Sequence, residues 1–201
     1  MIKNIIFDFG NVLVNHDLRP ILERYFGNDS KAMEIFSAIL SDREFVDTCD
    51  RGIIPFDRMV DNMIQQYHEF QNAFLFFKDN YLDEITGEVK GMRQLLIRLK
   101  SEGYKLYGLT NWSDTIYKGM DKFDIFRLLD GWVISCEEHS IKPEKDIYLR
   151  LCEKYGLNPS ECIFTDDRAI NVEGAKAVGM YAVTFTDCQK FISDITRITA
   201  A

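Results

Sequence analysis

The stretch Lys3–Val14, KNIIFDFGNVLV, decides how the rest of the chain reads. Four apolar residues, Ile5, Ile6, Phe7 and Phe9, surround one carboxylate, Asp8, and a glycine follows at position 10. Apolar residues at this density, closed by a glycine, read as a short buried strand running into a loop. Strands buried on both faces belong to parallel sheets covered by helices. Asp8 is therefore expected at the carboxyl end of such a strand, where open α/β sheets place their ligands. Gly10 is expected to let the backbone turn sharply and to let a ligand approach closely.

Downstream, residues 15–89 change character. Asp17–Tyr25 has the look of a helix start. Lys31–Leu40 places Met33, Phe36, Ile39 and Leu40 on one face, and Asp57–Tyr67 repeats the pattern with Met59, Val60, Met63 and Ile64. Phe70, Phe74 and Phe77 continue at helical spacing. No strand is expected in this block, which reads as a helical insertion with the phenylalanine stripe as its own core. From residue 90 helices and strands alternate. Strands are expected at Tyr104–Thr110 (YKLYGLT), Gly131–Ser135 (GWVIS), Glu161–Thr165 (ECIFT) and Met180–Phe185. Helices are expected at Met92–Lys100, Thr115–Leu129, Glu144–Tyr155 and Ala169–Val178, with glycine after several of their ends. Such alternation predicts right-handed crossovers and a parallel sheet.

Composition narrows the function classes. The chain has 201 residues, 46% of them hydrophobic, which suffices for one sizeable core plus a small accessory unit. A net charge of -8 and no basic stripe argue against nucleic acid and against anionic membrane surfaces. The five cysteines, Cys49, Cys136, Cys152, Cys162 and Cys188, form no CxxC pair. Cys136 and Cys162 sit in apolar runs and are expected as buried, reduced thiols. With no membrane-span-length segment and no signal-peptide pattern, a cytoplasmic location is expected.

The polar residues fall at strand ends. Asp8 ends the first strand, Thr110-Asn111 the second, Lys142-Pro143 lies in the loop after the third, and Asp166-Asp167 ends the fourth. In a parallel sheet these ends share one rim. Carboxylates grouped there need a cation, and oxygen-rich sites suit Mg²⁺, which commonly also holds a phosphate oxygen. Lys142 and the Thr110 hydroxyl would then face an anionic substrate, and a carboxylate left free by the metal becomes a nucleophile.

The order IIFDFGNV, then LTN, then KP, then IFTDDRAIN resembles the haloacid dehalogenase superfamily, and within it the phosphatases with a small helical cap. The resemblance covers the whole chain. It implies an α/β, three-layer Rossmann-like parallel sheet, with core strands in the order 5-4-1-2-3. It places the core at residues 1–14 and 90–201 and a helical-bundle cap at 15–89. It implies a Mg²⁺-dependent phosphatase for a small phosphorylated metabolite, such as a sugar 1-phosphate. Asp8 would form an aspartyl-phosphate, and Thr110 with the Asn111 amide would hold the phosphoryl oxygens. Lys142 would bridge nucleophile and phosphoryl group. Asp8, the Gly10 carbonyl and Asp167 would bind the metal, supported by Asp166. Arg51, Trp112 and His16 are candidates for contact with the substrate.

Gly10 departs from the family pattern, in which most phosphatases carry an acid/base Asp two residues after the nucleophile. Glycine keeps the metal-binding carbonyl and loses the acid. Two rival functions follow, a 2-haloacid dehalogenase and a non-catalytic phosphate-binding protein. The paired carboxylates Asp166-Asp167 argue against the dehalogenase.

Overall fold

In the computed structural model, which describes residues 1–200, seven strands form two sheets. They are β1 (Asn4–Phe7), β2 (Val14–His16), β3 (Ile85–Glu88), β4 (Lys105–Thr110), β5 (Gly131–Ile134), β6 (Cys162–Asp166) and β7 (Tyr181–Thr184). The main sheet has the order β5-β4-β1-β6-β7, with every pair parallel. Counting core strands alone, this is the expected 5-4-1-2-3 read from the other edge.

The helices are α1 (Arg19–Phe26), α2 (Ser30–Leu40), α3 (Arg43–Asp50), α4 (Phe56–Gln66) and α5 (Gln71–Asn80), followed by α6 (Met92–Ser101), α7 (Ile116–Lys122), α8 (Ser135–Glu138), α9 (Lys145–Tyr155), α10 (Ala169–Lys176) and α11 (Cys188–Thr199). Local chemistry sets several of their ends. Asp29 accepts from the Ala32 amide and Asp42 from that of Glu44, capping α2 and α3. Gly156 closes α9 in the left-handed region at φ 63°.

Alternation along the strands divides the core into two layers of side chains. Ile5, Phe7 and Ile163 face Leu95, Leu96 and Leu99 of α6 and Phe191 and Ile195 of α11. Ile6, Leu109 and Phe164 face Ile147 and Leu151 of α9 and Val172 and Ala175 of α10. Both faces of β1 are thereby sealed, as its unbroken apolar run requires. Helices α1 to α5 gather round a separate cluster that includes Phe36, Val60, Met63 and Phe74. Phe74 and Phe77 are buried there and Phe70 packs against it from a partly exposed position, so the stripe is indeed core.

Several expectations need correction. The insertion is not free of strands. β2 and β3 pair antiparallel where the chain leaves the core and where it returns, with a register shift at Asn15/His16. With one buried residue each, Val14 and Ile85, these two strands hold no apolar run to be read from sequence. The helix expected over 115–129 ends at Lys122, because Phe123 leaves helical geometry (φ -116°, ψ 112°), and a 3₁₀ turn covers Asp124–Leu128. α3, α8 and α11 were not foreseen. All five cysteines are free, but Cys136 is half-buried rather than buried. Among the described residues no helix is long and apolar enough to cross a membrane.

Gly108 in β4 is where the core leaves no room. A Cβ there would lie 2.3 Å from Cε1 of Phe9, whose ring is fully buried against Phe126 at a centroid distance of 4.8 Å. Gly108→Ala should cost about 1–3 kcal/mol by overpacking and lower the melting temperature by several degrees. It should also displace Phe9, and so the Asp8 loop. A thermal melt of the variant equal to that of the wild type would contradict this packing.

Candidate active site

Asp8 lies one residue beyond β1. Its amide donates to the Thr165 carbonyl at 3.0 Å, which carries the sheet pairing past the strand end and aims the side chain over the rim. Its Oδ1 accepts from the Phe9 amide and from Lys142 Nζ, each at 2.7 Å. The tight turn that follows is made by Asn11, at φ 56°, and not by Gly10, which does not have a positive φ. A Cβ on Gly10 would sit 3.7 Å from Trp112 Cζ3 and 3.9 Å from His16 Cβ, ordinary contact distances. The absent side chain is therefore a chemical choice and is not forced by the backbone.

Lys142 is the buried hub of the site, 1% exposed. Its ammonium donates to the Leu109 carbonyl at 3.0 Å and to Asp166 Oδ2 at 2.7 Å, besides Asp8. Three acceptors saturate its three N–H groups. Asn111 clamps the lysine's backbone: the Lys142 amide donates to Asn111 Oδ1 at 2.7 Å, and Asn111 Nδ2 donates to the Lys142 carbonyl at 2.9 Å. Burial pulls the Lys142 ammonium towards losing its proton, but Asp8 and Asp166 outweigh this and hold its pKa above the usual value. Asp8 moves the other way from an ordinary carboxylate. Burial pushes its pKa up, Lys142 opposes, Asp166 adds, and the balance is about 6. Asp8 thus stays largely ionised at neutral pH.

The carboxylates of Asp8, Asp166 and Asp167 each offer an oxygen within 4.8 Å of the others. They do not stand equal. Asp166 is fully buried and takes four hydrogen bonds, from Lys142 Nζ, from the Arg168 amide at 2.9 Å and two from Asn171 Nδ2 at 2.9 and 3.0 Å. Four donors fill the lone-pair positions of a carboxylate, so Asp166 cannot ligate a metal directly without giving up a partner. In this structure its oxygens fix Lys142 and Asn171. Asp167 is exposed and has only a long 3.4 Å bond from Asn11 Nδ2, and burial followed by the charge of Asp166 raises its pKa. Asn171 Oδ1 is buried and has no partner. Crowded carboxylate charge, free oxygens on Asp167 and an orphaned amide oxygen beside them are the donor chemistry that Mg²⁺ takes, with water filling the remaining positions.

These groups floor a cavity of about 320 Å³ whose roof is the helical insertion. Thr110, Asn111, Trp112 and His16 line it together with Asp8, Gly10, Lys142 and Asp167. The His16 ring meets Trp112 edge-on at 5.4 Å, and its Nε2 lies 3.4 Å from Glu84 Oε2. Burial lowers the imidazole pKa, but Glu84 outweighs it, with Asp17 and Asp50 adding, so the net direction is up. Asn111 spends its side chain on Lys142, which leaves its backbone amide as the part available to a ligand. Arg51 does not line the cavity. Its guanidinium pairs with Glu144, with Nη1 3.0 Å from Oε2, and its carbonyl meets His139 Nδ1 at 2.8 Å, so it ties the insertion to the core. The sequence reading missed Glu84, Asp50, Arg43, Met59 and Phe77 as lining residues. Met59 and Phe77 fall in the same helical stripes as the insertion's core, and Arg43, Asp50 and Glu84 lie in segments outside those stripes.

Comparison with known proteins agrees with this geometry. The model for haloacid dehalogenase-like hydrolases matches residues 2–179. Flavin mononucleotide hydrolase 1 of Arabidopsis thaliana is 29% identical over 108 residues, 54% of this chain and 44% of that protein. Glyceraldehyde 3-phosphate phosphatase of Pyrococcus furiosus is 32% identical over 105 residues, 49% and 42% of the two chains. The chain spans about half the length of these curated relatives. Among solved structures, the HAD family enzyme bt-2542 of Bacteroides thetaiotaomicron superposes with a TM-score of 0.76 at 23% identity, covering 93% of this chain and 95% of that one. The same protein has been solved in complex with magnesium and inorganic phosphate, at a TM-score of 0.72 and 22% identity. Identities this low speak for the fold alone, whereas the family match extends over most of the sequence: the chain belongs to the haloacid dehalogenase-like hydrolases.

Proposed function

We propose that this hydrolase is a Mg²⁺-dependent phosphatase for a small phosphorylated metabolite, with residues 15–89 acting as a cap over a core of residues 1–14 and 90–201. The observation that carries the reading is the buried Lys142 ammonium, 2.7 Å from both Asp8 and Asp166, beside the free carboxylate of Asp167. An anion-seeking lysine held next to an ionised carboxylate suits a phosphoryl group better than a neutral substrate. The curated relatives named above bear the names of phosphorylated small molecules, which supports the same class.

In this reading Asp8 attacks phosphorus through the oxygen not held by Phe9, and the bond to the leaving oxygen breaks as the aspartyl-phosphate forms. The Thr110 hydroxyl and the Asn111 amide hold the transferring oxygens, and Lys142 turns an N–H to them as Asp8, esterified, gives up its charge. Asp8, the Gly10 carbonyl and Asp167 hold Mg²⁺, which when bound neutralises charge on the phosphoryl oxygens. Asp166 keeps Lys142 in place. Gly10 offers no proton, so substrates whose leaving oxygen needs little protonation are favoured, and a sugar 1-phosphate, with its acidified anomeric oxygen, is one such case.

Phosphate release from p-nitrophenyl phosphate, with and without Mg²⁺, tests the reading. Release that depends on the metal supports it, and halide release from a 2-haloacid without metal would replace it with the dehalogenase. Asp8→Asn should lower kcat by at least about a thousandfold. Asp8→Asn relieves the burial of one charge but also takes a partner from Lys142, so a thermal melt first establishes that the variant is folded, and activity above about a tenth of wild type in the folded variant would remove Asp8 from its role.

Asp166 and Asp167 should separate in experiment. Asp167→Asn should raise the Mg²⁺ concentration needed for half-maximal rate with little change in melting temperature. Asp166→Asn should lower the melting temperature, because it takes a charge from a buried ion pair and leaves Lys142 under-neutralised. Metal titrations and thermal melts of the two variants decide this, and an inverse pattern would exchange the two roles.

The backbone tolerates a side chain at position 10, so Gly10→Asp is a clean variant. A general acid contributes typically about 10²–10⁴-fold. Gly10→Asp should therefore speed alkyl phosphates more than aryl phosphates in steady-state assays. Equal effects on both would mean that the leaving group already receives its proton from another source.

A further inference from the structure

Asp50 is the last residue of α3 and lines the cavity from the cap side. Its backbone carbonyl accepts from Ser135 Oγ at 2.6 Å, but its carboxylate has no hydrogen-bond or ion-pair partner among the described residues. The positive charges near it are already engaged, Lys142 by Asp8 and Asp166 and Arg43 by Asp47. The place of Asp50 at the C-terminal end of α3 sets its carboxylate against the negative end of the helix dipole. Asp47 and Glu84 are further negative neighbours, and Arg43 is engaged by Asp47 at 3.3 Å. Val46, Phe56, Met59 and Phe77 make the adjoining wall apolar. A carboxylate placed so, at a substrate cavity and without a partner, loses stability for the protein and gains an acceptor for a ligand.

We propose that Asp50 reads the leaving part of the substrate: it accepts hydrogen bonds from hydroxyl or amine donors there, and it excludes phosphate esters that carry a second anion. This rests on the phosphatase reading of the same cavity and adds a substrate class to it, namely a phosphate monoester whose leaving group is uncharged or cationic and bears a donor. The remaining groups that face Asp50 are His16 from the ribbon, Lys142 from the core floor, Cys49 beside it and Cys136 across from it. Burial first, and Asp47 next, push the Asp50 pKa up to about 7, with Arg43 and Lys142 opposing. That is the behaviour of a carboxylate whose partner has yet to arrive.

Glucose 1-phosphate and glucuronic acid 1-phosphate form a matched pair, because they share size, hydroxyls and leaving oxygen and differ by one carboxylate. The wild type should prefer the first. Asp50→Asn should shrink the ratio of the two kcat/KM values by about ten- to a hundredfold, the worth of a hydrogen bond to a charged group. The KM of the wild type for glucose 1-phosphate should fall as pH rises through about 7, as Asp50 ionises, and this fall should be missing in the variant. Because the folded state raises the Asp50 pKa from 3.8 to about 7, stability is lost as pH rises between those values and the loss is complete above about 7, so Asp50→Asn should melt higher than wild type at pH 8 and gain less at pH 5. An unchanged ratio, or a uniform loss on both sugars with a lower melting temperature, overturns the proposal and makes Asp50 structural. If the wild type releases no phosphate from p-nitrophenyl phosphate at any Mg²⁺ concentration, the phosphatase reading fails instead. Calorimetric binding of the two sugar phosphates to wild type and variant then decides Asp50 by the same ratio.

Discussion

A lysine ammonium buried to 1% exposure between two carboxylates is the interaction on which the rest of this site depends. An unpaired charge at that depth is not tolerated, so Lys142 can stay inside only while Asp8 and Asp166 stay ionised beside it. Everything nearby serves that arrangement. Asn111 grips the lysine's amide and carbonyl, the Leu109 carbonyl takes its third N–H, and Asn171 and the Arg168 amide saturate Asp166. Four segments distant in sequence are thus locked to one cation, and Asp8 is oriented before any ligand arrives.

The cost of this packing is visible in Asp8, whose pKa is raised despite a lysine in contact. Burial outweighs attraction there. A divalent cation and a phosphoryl group would alter the balance by adding charge of both signs, and the exposed Asp167 is the carboxylate with oxygens to spare. The site is rigid where charge is paired and open where it is not.

The insertion is held over this floor by contacts concentrated in one turn. Ser135 Oγ donates to the Asp50 carbonyl, His139 meets the Arg51 carbonyl, Arg51 pairs with Glu144, and the Phe56 amide donates to Asp114 Oδ1 at 3.1 Å. Gly52 makes the seating possible: at φ 64°, a Cβ there would fall 2.1 Å from the Cys136 carbonyl oxygen. The ribbon of β2 and β3 ties the two ends of the insertion together and brings His16 to within 3.4 Å of Glu84. The roof of the cavity is therefore placed by backbone contacts, while its side chains are left to face a substrate.

The sequence by itself determined the parallel sheet and the residues at its rim, while the strand order came with the resemblance to the family. Strand burial on both faces leaves a continuous apolar run, and the polar residue that ends each run must stand at the rim, so Asp8, Thr110 and Asp166-Asp167 were legible without coordinates, with Lys142 in the loop that follows the third strand. Only the tertiary structure decided how they divide the work. Two adjacent aspartates look alike in sequence, and it is the count of donors around each that separates Asp166 from Asp167. Arg51 was misread because its partner, Glu144, lies 93 positions away. Gly10 was misread because the left-handed turn falls one residue later, at Asn11. Asp50 gave no signal at all, since a carboxylate at a helix end becomes notable only when nothing in three dimensions pairs with it.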